Sequence, residues 1–358
     1  MLSYILRRLL LLFPTLIGIT AITFFTMALS PGSVTQAVLS QAGQLKPFER
    51  KALEDYYNKR YGLNKPPIVQ YFNWLNKISP IGVKDRGIGY PVTWTVGFKT
   101  PDLGYSFFLH RPVLDLIVED LPVTLMLNAL SVPVVYSIAL LAGIRAAKRR
   151  GQLEDVATGT IFLGLWSFPQ ILAGVLMIGY LANREIIHIF PTAGLHDELA
   201  DSFLFLPSFD HGFQRGYLLD YLWHMCLPVI CLSYGSFAFT AKLARSALLE
   251  NINSDYVRTA RAKGATERDI LYRHAFRNSL IPIITLAAQI LPALLSGSIV
   301  VEEIFNLQGM GKLTVDAVFN RDRELVLSTT FLAGLLGLLA YLVADIAYAI
   351  ADPRVSYE

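Results

Sequence analysis

Asp255-Tyr256-Val257-Arg258-Thr259-Ala260-Arg261-Ala262-Lys263-Gly264-Ala265-Thr266-Glu267-Arg268-Asp269-Ile270-Leu271-Tyr272-Arg273-His274-Ala275-Phe276-Arg277-Asn278-Ser279-Leu280-Ile281-Pro282 is polar, basic and broken by one glycine. It joins two apolar runs, about 225–248 and 279–301. A run of about 20 apolar residues crosses a bilayer as a helix. Two amphipathic pieces meet at Gly264, and Ala260, Ala262 and Ala265 leave little side-chain bulk around the bend. Such a hairpin suits insertion into a groove on a partner. The alternative is a solvated basic loop that only obeys the positive-inside rule. Loop chemistry alone leaves both readings open.

The rest of the chain places this loop in a membrane protein. Of 358 residues, 53% are hydrophobic and 16% charged, against about 25% charged in soluble domains. Six spans are predicted, at about 9–29, 121–144, 157–181, 225–248, 279–301 and 325–350. The third and sixth are long enough to need tilt. The fourth carries Pro228 and Tyr234, then Lys242 and Arg245 near its end, where long stems reach the interface. The first run follows Arg7 and Arg8 and exceeds a signal-peptide core of about 7–15 residues, so it reads as a retained anchor.

Orientation follows from Lys and Arg in short loops. Arg7 and Arg8 precede the first span, and Arg145, Lys148, Arg149 and Arg150 follow the second. Eight cations lie between Lys242 and Arg277, whereas 182–224 holds only Arg184 and Arg215. Both termini are therefore expected in the cytoplasm. Residues 31–120 carry eleven cations, but long translocated segments are largely exempt from the rule. The net charge of +3 does not point to nucleic acid.

The domain reading is 1–30 as the N-terminal end and first span, 31–120 as an extracytoplasmic segment, and 121–358 as a five-helix core with a cytoplasmic loop over 250–278. Within 31–120, Pro47 to Tyr61 reads as a helix stopped by Gly62. Pro66-Pro67 opens an amphipathic stretch with Ile68, Tyr71, Phe72, Trp74, Leu75 and Ile78. Residues 79–103 read as loop with a short strand near 92–98, and Leu103 to Asp120 returns to the membrane. Tyr56, Tyr57, Tyr61, Tyr71, Phe72 and Trp74 either line a peptide site or pack a small cap, the second being the commoner use of such residues. Residues 182–224 and 302–324 are further outer loops.

The chain carries no Gly-x-x-x-x-Gly-Lys-Ser/Thr phosphate cradle and no dinucleotide fingerprint. No Ser/His/Asp set or paired carboxylates can be argued, so no catalytic residue is assigned. Cys226 and Cys231 fall in the fourth span as packing residues. His110, His188, His196, His211 and His224 are scattered over outer segments without ligand spacing, and no metal site is assigned. Asp345 is the one acid well inside a span, with Arg354 as a local partner.

The loop at 255–282 closely resembles the cytoplasmic coupling loop of ABC importer permeases, in the Arg258-Thr259-Ala260-Arg261-Ala262-Lys263-Gly264 form of the dipeptide/oligopeptide/nickel branch. Further stretches are similar to that branch in the same order. They include Tyr4 to Leu10, Tyr61 to Pro66, Gln70 to Leu75, Asp102 to Ser106 with Arg111-Pro112-Val113, Leu121 to Leu125, Glu302 to Gly311, and Asp352-Pro353-Arg354. Two departures stand out. Arg258 and Thr259 occupy the positions of the general loop's Glu and first Ala, while His274 and Arg277 replace its later Ile and Pro. Residues 79–101 are longer than the usual outer segment.

The resemblance implies an all-α membrane protein with six transmembrane helices, a type I ABC importer permease. It implies a transporter subunit, not an enzyme, carrying peptides or peptide-like solutes delivered by an extracytoplasmic solute-binding protein. No cofactor is expected in this chain, and ATP-Mg belongs to two partner ATP-binding cassette subunits. A second homologous permease and the lipid bilayer complete the partners, in a bacterial inner membrane. Tyr256, Arg258, Ala260, Lys263, Gly264 and Ala265 are the expected ATPase-coupling residues. An ion-coupled secondary transporter, which broken helices and an inverted repeat would favour, is the alternative, and neither feature is visible in the sequence. A membrane-anchored ligand sensor built on 31–120 is the other.

Overall fold

The computed structural model describes residues 2–29, 48, 51, 55, 64–84, 95–208, 215–288 and 297–351. Helices carry most of the described chain, as apolar segments in lipid must, because every backbone N–H and C=O needs a partner within the segment. α1 is Leu2–Leu29, with Pro14 inside it. α2 is Pro67–Ile78, opened by a proline whose missing N–H is no loss at that position. β1 (Ile81–Lys84) and β2 (Thr95–Phe98) pair antiparallel, with Ile81 opposite Phe98. α3 is Val113–Lys148 and already begins ahead of the predicted span at 121. α4 is Leu153–Ser167, and α5 (Gln170–Met177) runs into a π-helical turn at Ile178–Ala182. α6 (Gly216–Ser233) continues through a 3₁₀ turn at Tyr234–Ser236 into α7 (Phe237–Ile252). α8 is Asp255–Ala262, α9 Arg277–Ala288, α10 Ile299–Ile304, α11 Met310–Phe319 and α12 Arg323–Ala351.

Among the described residues, four helical stretches are long and apolar enough to cross a membrane: Leu9–Leu29, Val113–Lys148, Gly216–Ile252 and Arg323–Val343. They match the first, second, fourth and sixth predicted spans. The fourth is longer than predicted, so 216–224 is helix and not outer loop. His224 is accordingly buried in α6, with Nδ1 2.9 Å from the Asp220 carbonyl. The predicted fifth span begins as α9, but 289–296 lie outside the described residues, as do Pro47, Tyr56 to Gly62, His211 and Arg354.

The third predicted span is corrected. It is not one tilted helix but a pair, α4 with α5 and its π-turn, bent by 90°. Pro169 supplies the reason: its ring disfavours helical backbone at the preceding residue, and Phe168 is extended at φ −83° and ψ 123°. The carbonyl left at the break accepts from Tyr234 Oη at 2.9 Å, and Gln170 Nε2 donates to the Cys231 carbonyl at 3.2 Å. The expectation of no broken helix therefore fails at Phe168-Pro169.

The chain separates into two units. One comprises Leu6–Asp120 and Leu313–Leu336. In it Phe24, Tyr71, Trp74, Ile78 and Leu327 form a buried cluster. Tyr71 Oη lies 2.9 Å from Thr20 Oγ1 and 3.0 Å from the Ile17 carbonyl. Tyr71 and Trp74 are thus packing residues, whereas Phe72 is exposed. Buried Asp322 accepts from Ser106 Oγ at 2.5 Å and from the Phe108 amide at 3.1 Å.

The other unit contains 121–312 and the end of α12. Its core gathers Leu127, Met225, Leu227, Cys231, Val301, Phe305 and Leu307. Glu302 is fully buried beside this core. Its carboxylate accepts from the amides of Ser298 (3.0 Å) and Lys312 (2.9 Å) and from Thr124 Oγ1 (3.0 Å). Thr124 Oγ1 in turn accepts from the Met310 amide at 2.8 Å. Gly309 leaves room for this arrangement, since an added Cβ would lie 2.6 Å from Glu302 Cδ.

Candidate coupling hairpin

The hairpin is built by local capping. Arg258, Thr259, Arg261 and Ala262 are exposed on α8, as is Lys263 at its C-cap, and Val257 alone is fully buried there. α8 ends in paired cap bonds, Gly264 N–H to the Arg261 carbonyl (3.0 Å) and Ala265 N–H to the Ala260 carbonyl (3.2 Å). That is the double-bonded C-cap in which the residue after the cap takes left-handed backbone. Gly264 takes it, at φ +84°. Thr266 then starts the return segment, its Oγ1 accepting from the Asp269 amide at 3.2 Å. Arg261 Nε donates to Glu267 Oε1 at 3.1 Å across the bend.

The base of the hairpin is fixed to its own chain. Val257, Ile270, Leu271 and Ala275 are buried with Ala147 and Leu248, and Ala265 packs at the edge of that cluster. Ile270–Phe276 is a π-helical segment that leads into α9. Ser279 Oγ donates to the Ala247 carbonyl at 3.1 Å, and Lys148 Nζ lies 5.6 Å from the centre of the Tyr272 ring. Tyr256 is 40% exposed, its hydroxyl donating to Asn251 Oδ1 at 2.7 Å.

The six residues singled out in the sequence therefore divide by position. Arg258, Lys263 and Gly264 sit on the exposed tip, with Tyr256 at its flank. Ala260 and Ala265 close the cap, so their small size serves the bend itself. Nothing lies within 4 Å of a Cβ placed on Gly264. Within this chain, a larger residue there meets only the backbone penalty.

A half-buried ion pair between α4 and α7 escaped the sequence reading. Arg245 on α7 donates Nε to Asp155 Oδ1 at 2.6 Å and Nη2 to Oδ2 at 2.8 Å, and the Gly151 amide donates to Oδ2 at 2.9 Å. Both residues look like span-end charges in one dimension. Only an acid opposite Arg245 would have signalled the pair, and it is 90 positions away. Glu302 was noted as part of a similar stretch, without a role. Its burial was invisible because a carboxylate at a span end ordinarily reads as solvated.

The pair gives a testable expectation. A two-pronged guanidinium–carboxylate contact is lost by Arg245→Lys even though charge is kept. Asp155 is buried but Arg245 is 32% exposed at its side chain, so the loss is about 1–2 kcal/mol, below that of a fully buried pair. Thermal melts of Asp155→Asn, Arg245→Lys and the double variant should be non-additive. Additive shifts would show that the two side chains do not act together.

Membrane-length helices joined by polar turns define a multi-pass membrane protein. Residues 139–357 match the binding-protein-dependent transport system inner membrane component family, and 1–128 match the N-terminal part of such components. The chain belongs to this family, the permeases of ABC importers, and is a membrane transport subunit whose ATPase lies in partner subunits. It is 33% identical to the oligopeptide transport system permease protein AppB of Bacillus subtilis (strain 168), over 100% of both chains. It is 32% identical to the peptidoglycan transport system permease protein YejB of Agrobacterium fabrum (strain C58), covering 99% of this chain and 98% of that one. It is likewise 32% identical to the di/tripeptide transport system permease protein DppB of Pseudomonas aeruginosa (strain UCBPP-PA14), over 100% of both. Among solved structures, the MetNI methionine ABC transporter in inward-facing conformations aligns with TM-score 0.48 and 20% identity, over 67% of this chain and 97% of that one.

Proposed function

We propose that this chain is one of two homologous permeases in an ABC importer for peptides or peptide-like solutes. The observation that carries the substrate class is full-length similarity to relatives named for oligopeptide, di/tripeptide and peptidoglycan transport. In this reading six spans cross the inner membrane, both termini are cytoplasmic, and 31–120 faces the solute-binding protein outside. Two ATP-binding cassette subunits, carrying ATP-Mg, dock on the hairpins of the two permeases. Tyr256, Arg258, Lys263 and Gly264 form this chain's docking tip, with Ala260 and Ala265 holding its shape. The capped bend supports that role, because a rigid element transmits displacement better than a mobile loop. The packed base at Val257, Ile270 and Leu271 carries it into α7 and α9. Movement of the ATPases then biases the spans between two openings, a two-state coupling through a docked element.

Deleting the chain in its host should abolish uptake of a radiolabelled tripeptide, and a plasmid copy should restore it. Undiminished uptake with the binding protein and ATPases intact would remove the peptide assignment. Orientation is tested separately in whole cells lacking Cys226 and Cys231. A membrane-impermeant maleimide should label Asn73→Cys and not Thr266→Cys. Labelling of Thr266→Cys from outside would invert the topology and place the hairpin out of reach of any ATPase.

A further inference from the structure

We propose that the cleft between α3, α4 and α7 binds an anionic diacyl phospholipid, with the headgroup on Lys242 and the acyl chains between the helices. The cleft follows from how the three helices meet. Gly143 on α3 is pressed against α7, so that an added Cβ would lie 2.8 Å from the Ala241 carbonyl oxygen and 2.9 Å from Ala244 Cβ. α4 is tied to the same helix by Asp155 and Arg245. Between these two attachments is a cavity of about 300 Å³, walled by Ala142, Gly159, Phe162, Leu163, Ala238 and Ala241. A second cavity, of about 570 Å³, adjoins it and shares Ala142, Thr158 and Phe162. Gly159 faces open space.

The walls select the occupant. A peptide backbone placed among these small apolar side chains would leave its N–H and C=O groups unpaired, which an apolar setting penalises. Hydrocarbon carries no such cost, and two adjoining clefts suit the two chains of one lipid. The rim selects the head. Arg245 is paired with Asp155, and Glu154 with Arg149. Among the described residues, the other cations lining the cavities are Lys242 at the first and Arg145 at the second. Lys242 is exposed. Both lie at the end of the helices that carries the basic run Arg145, Lys148, Arg149 and Arg150. A basic pocket between helices at a membrane surface is the chemistry that holds anionic lipid headgroups.

The test uses the intact transporter in phosphatidylcholine nanodiscs containing a trace of photoactivatable phosphatidylglycerol. Cross-linked peptides are then mapped by mass spectrometry. Label is expected on the peptides of α3, α4 and α7 that line the cleft, and much less from a photoactivatable phosphatidylcholine. Lys242→Gln should lower labelling about fivefold, the factor equivalent to ~1 kcal/mol per cation near an anionic surface. Gly159→Leu, which fills the cleft without straining a helix, should abolish it. Lys242→Gln changes an exposed side chain and keeps the test open if Gly159→Leu fails to assemble. Equal labelling by the zwitterionic analogue would overturn the proposal, as would unchanged labelling in Lys242→Gln. So would cross-linking of Gly159→Cys to the partner permease, which would show that a protein helix fills the cleft.

Discussion

Gly264→Val abolishes uptake and strips the ATPase subunits from the purified transporter, while the protein still inserts and accumulates. The expectation follows from the cap at the hairpin tip. Gly264 holds φ +84°, a region that costs an L-residue about 1–2 kcal/mol and a β-branched one more. Valine therefore breaks the bonds from Gly264 and Ala265 back to Arg261 and Ala260, and the tip loses its shape. Insertion is spared because a Cβ placed on Gly264 meets nothing within 4 Å in this chain, so the damage stays at the bend. Gly264→Asn separates two causes. Asparagine tolerates left-handed backbone, so it preserves the bend but adds bulk. If Gly264→Asn retains its ATPases, the bend is what matters; if it fails with valine, contact at the tip matters. Arg268 is exposed on the return segment, and its loss should cost only ~0–1 kcal/mol. Co-purification of the ATPases with each variant, beside uptake, is the measurement. If Gly264→Val keeps both, residues 255–282 are an ordinary basic loop.

The second large effect is expected at Glu302. Its carboxylate collects two backbone amides and the Thr124 hydroxyl in a fully buried site. Glu302→Ala removes the acceptor and leaves the Ser298 and Lys312 amides without their partner. A fully buried orphaned donor costs about 1–3 kcal/mol; these two amides are half-buried, so together they lose about 1–3 kcal/mol, to which the cavity left by the side chain adds. That is enough to unfold a marginally stable protein. Glu302→Gln should be milder, yet its NH₂ must face one of the donors. Gly309→Ala should resemble Glu302→Ala, because its Cβ would enter the same carboxylate. Thermal melts in detergent, read by loss of the monodisperse gel-filtration peak, decide it. A Glu302→Ala protein that melts with the parent would mean the network carries no stability.

These two sites differ in how far the sequence alone reaches them. The hairpin bend is local. Its cap bonds span residues 260–265, and the cues are a glycine, flanking alanines and a threonine that starts the next turn. Chain geometry over six neighbours decides such a feature, so it can be read in one dimension. The spans are legible for a similar reason. Bilayer thickness sets their length, and desolvation of charge sets their composition.

The break in the third span was written in the sequence as Phe168-Pro169 but masked by the continuous apolar run around it. Proline dictates that the helix stops. The 90° bend is held by Tyr234 and Gln170, partners on a different stretch of chain. By itself the sequence determined four of the membrane-length helices, the family and the position of the hairpin, because local backbone preference and transfer to lipid act on consecutive residues. Tertiary structure alone decided that Glu302 is buried against Thr124, 178 positions away, and that Asp155 grips Arg245 across 90. A charge near a span end has the same local pattern whether water or a distant donor satisfies it, and only packing brings that donor within 3 Å.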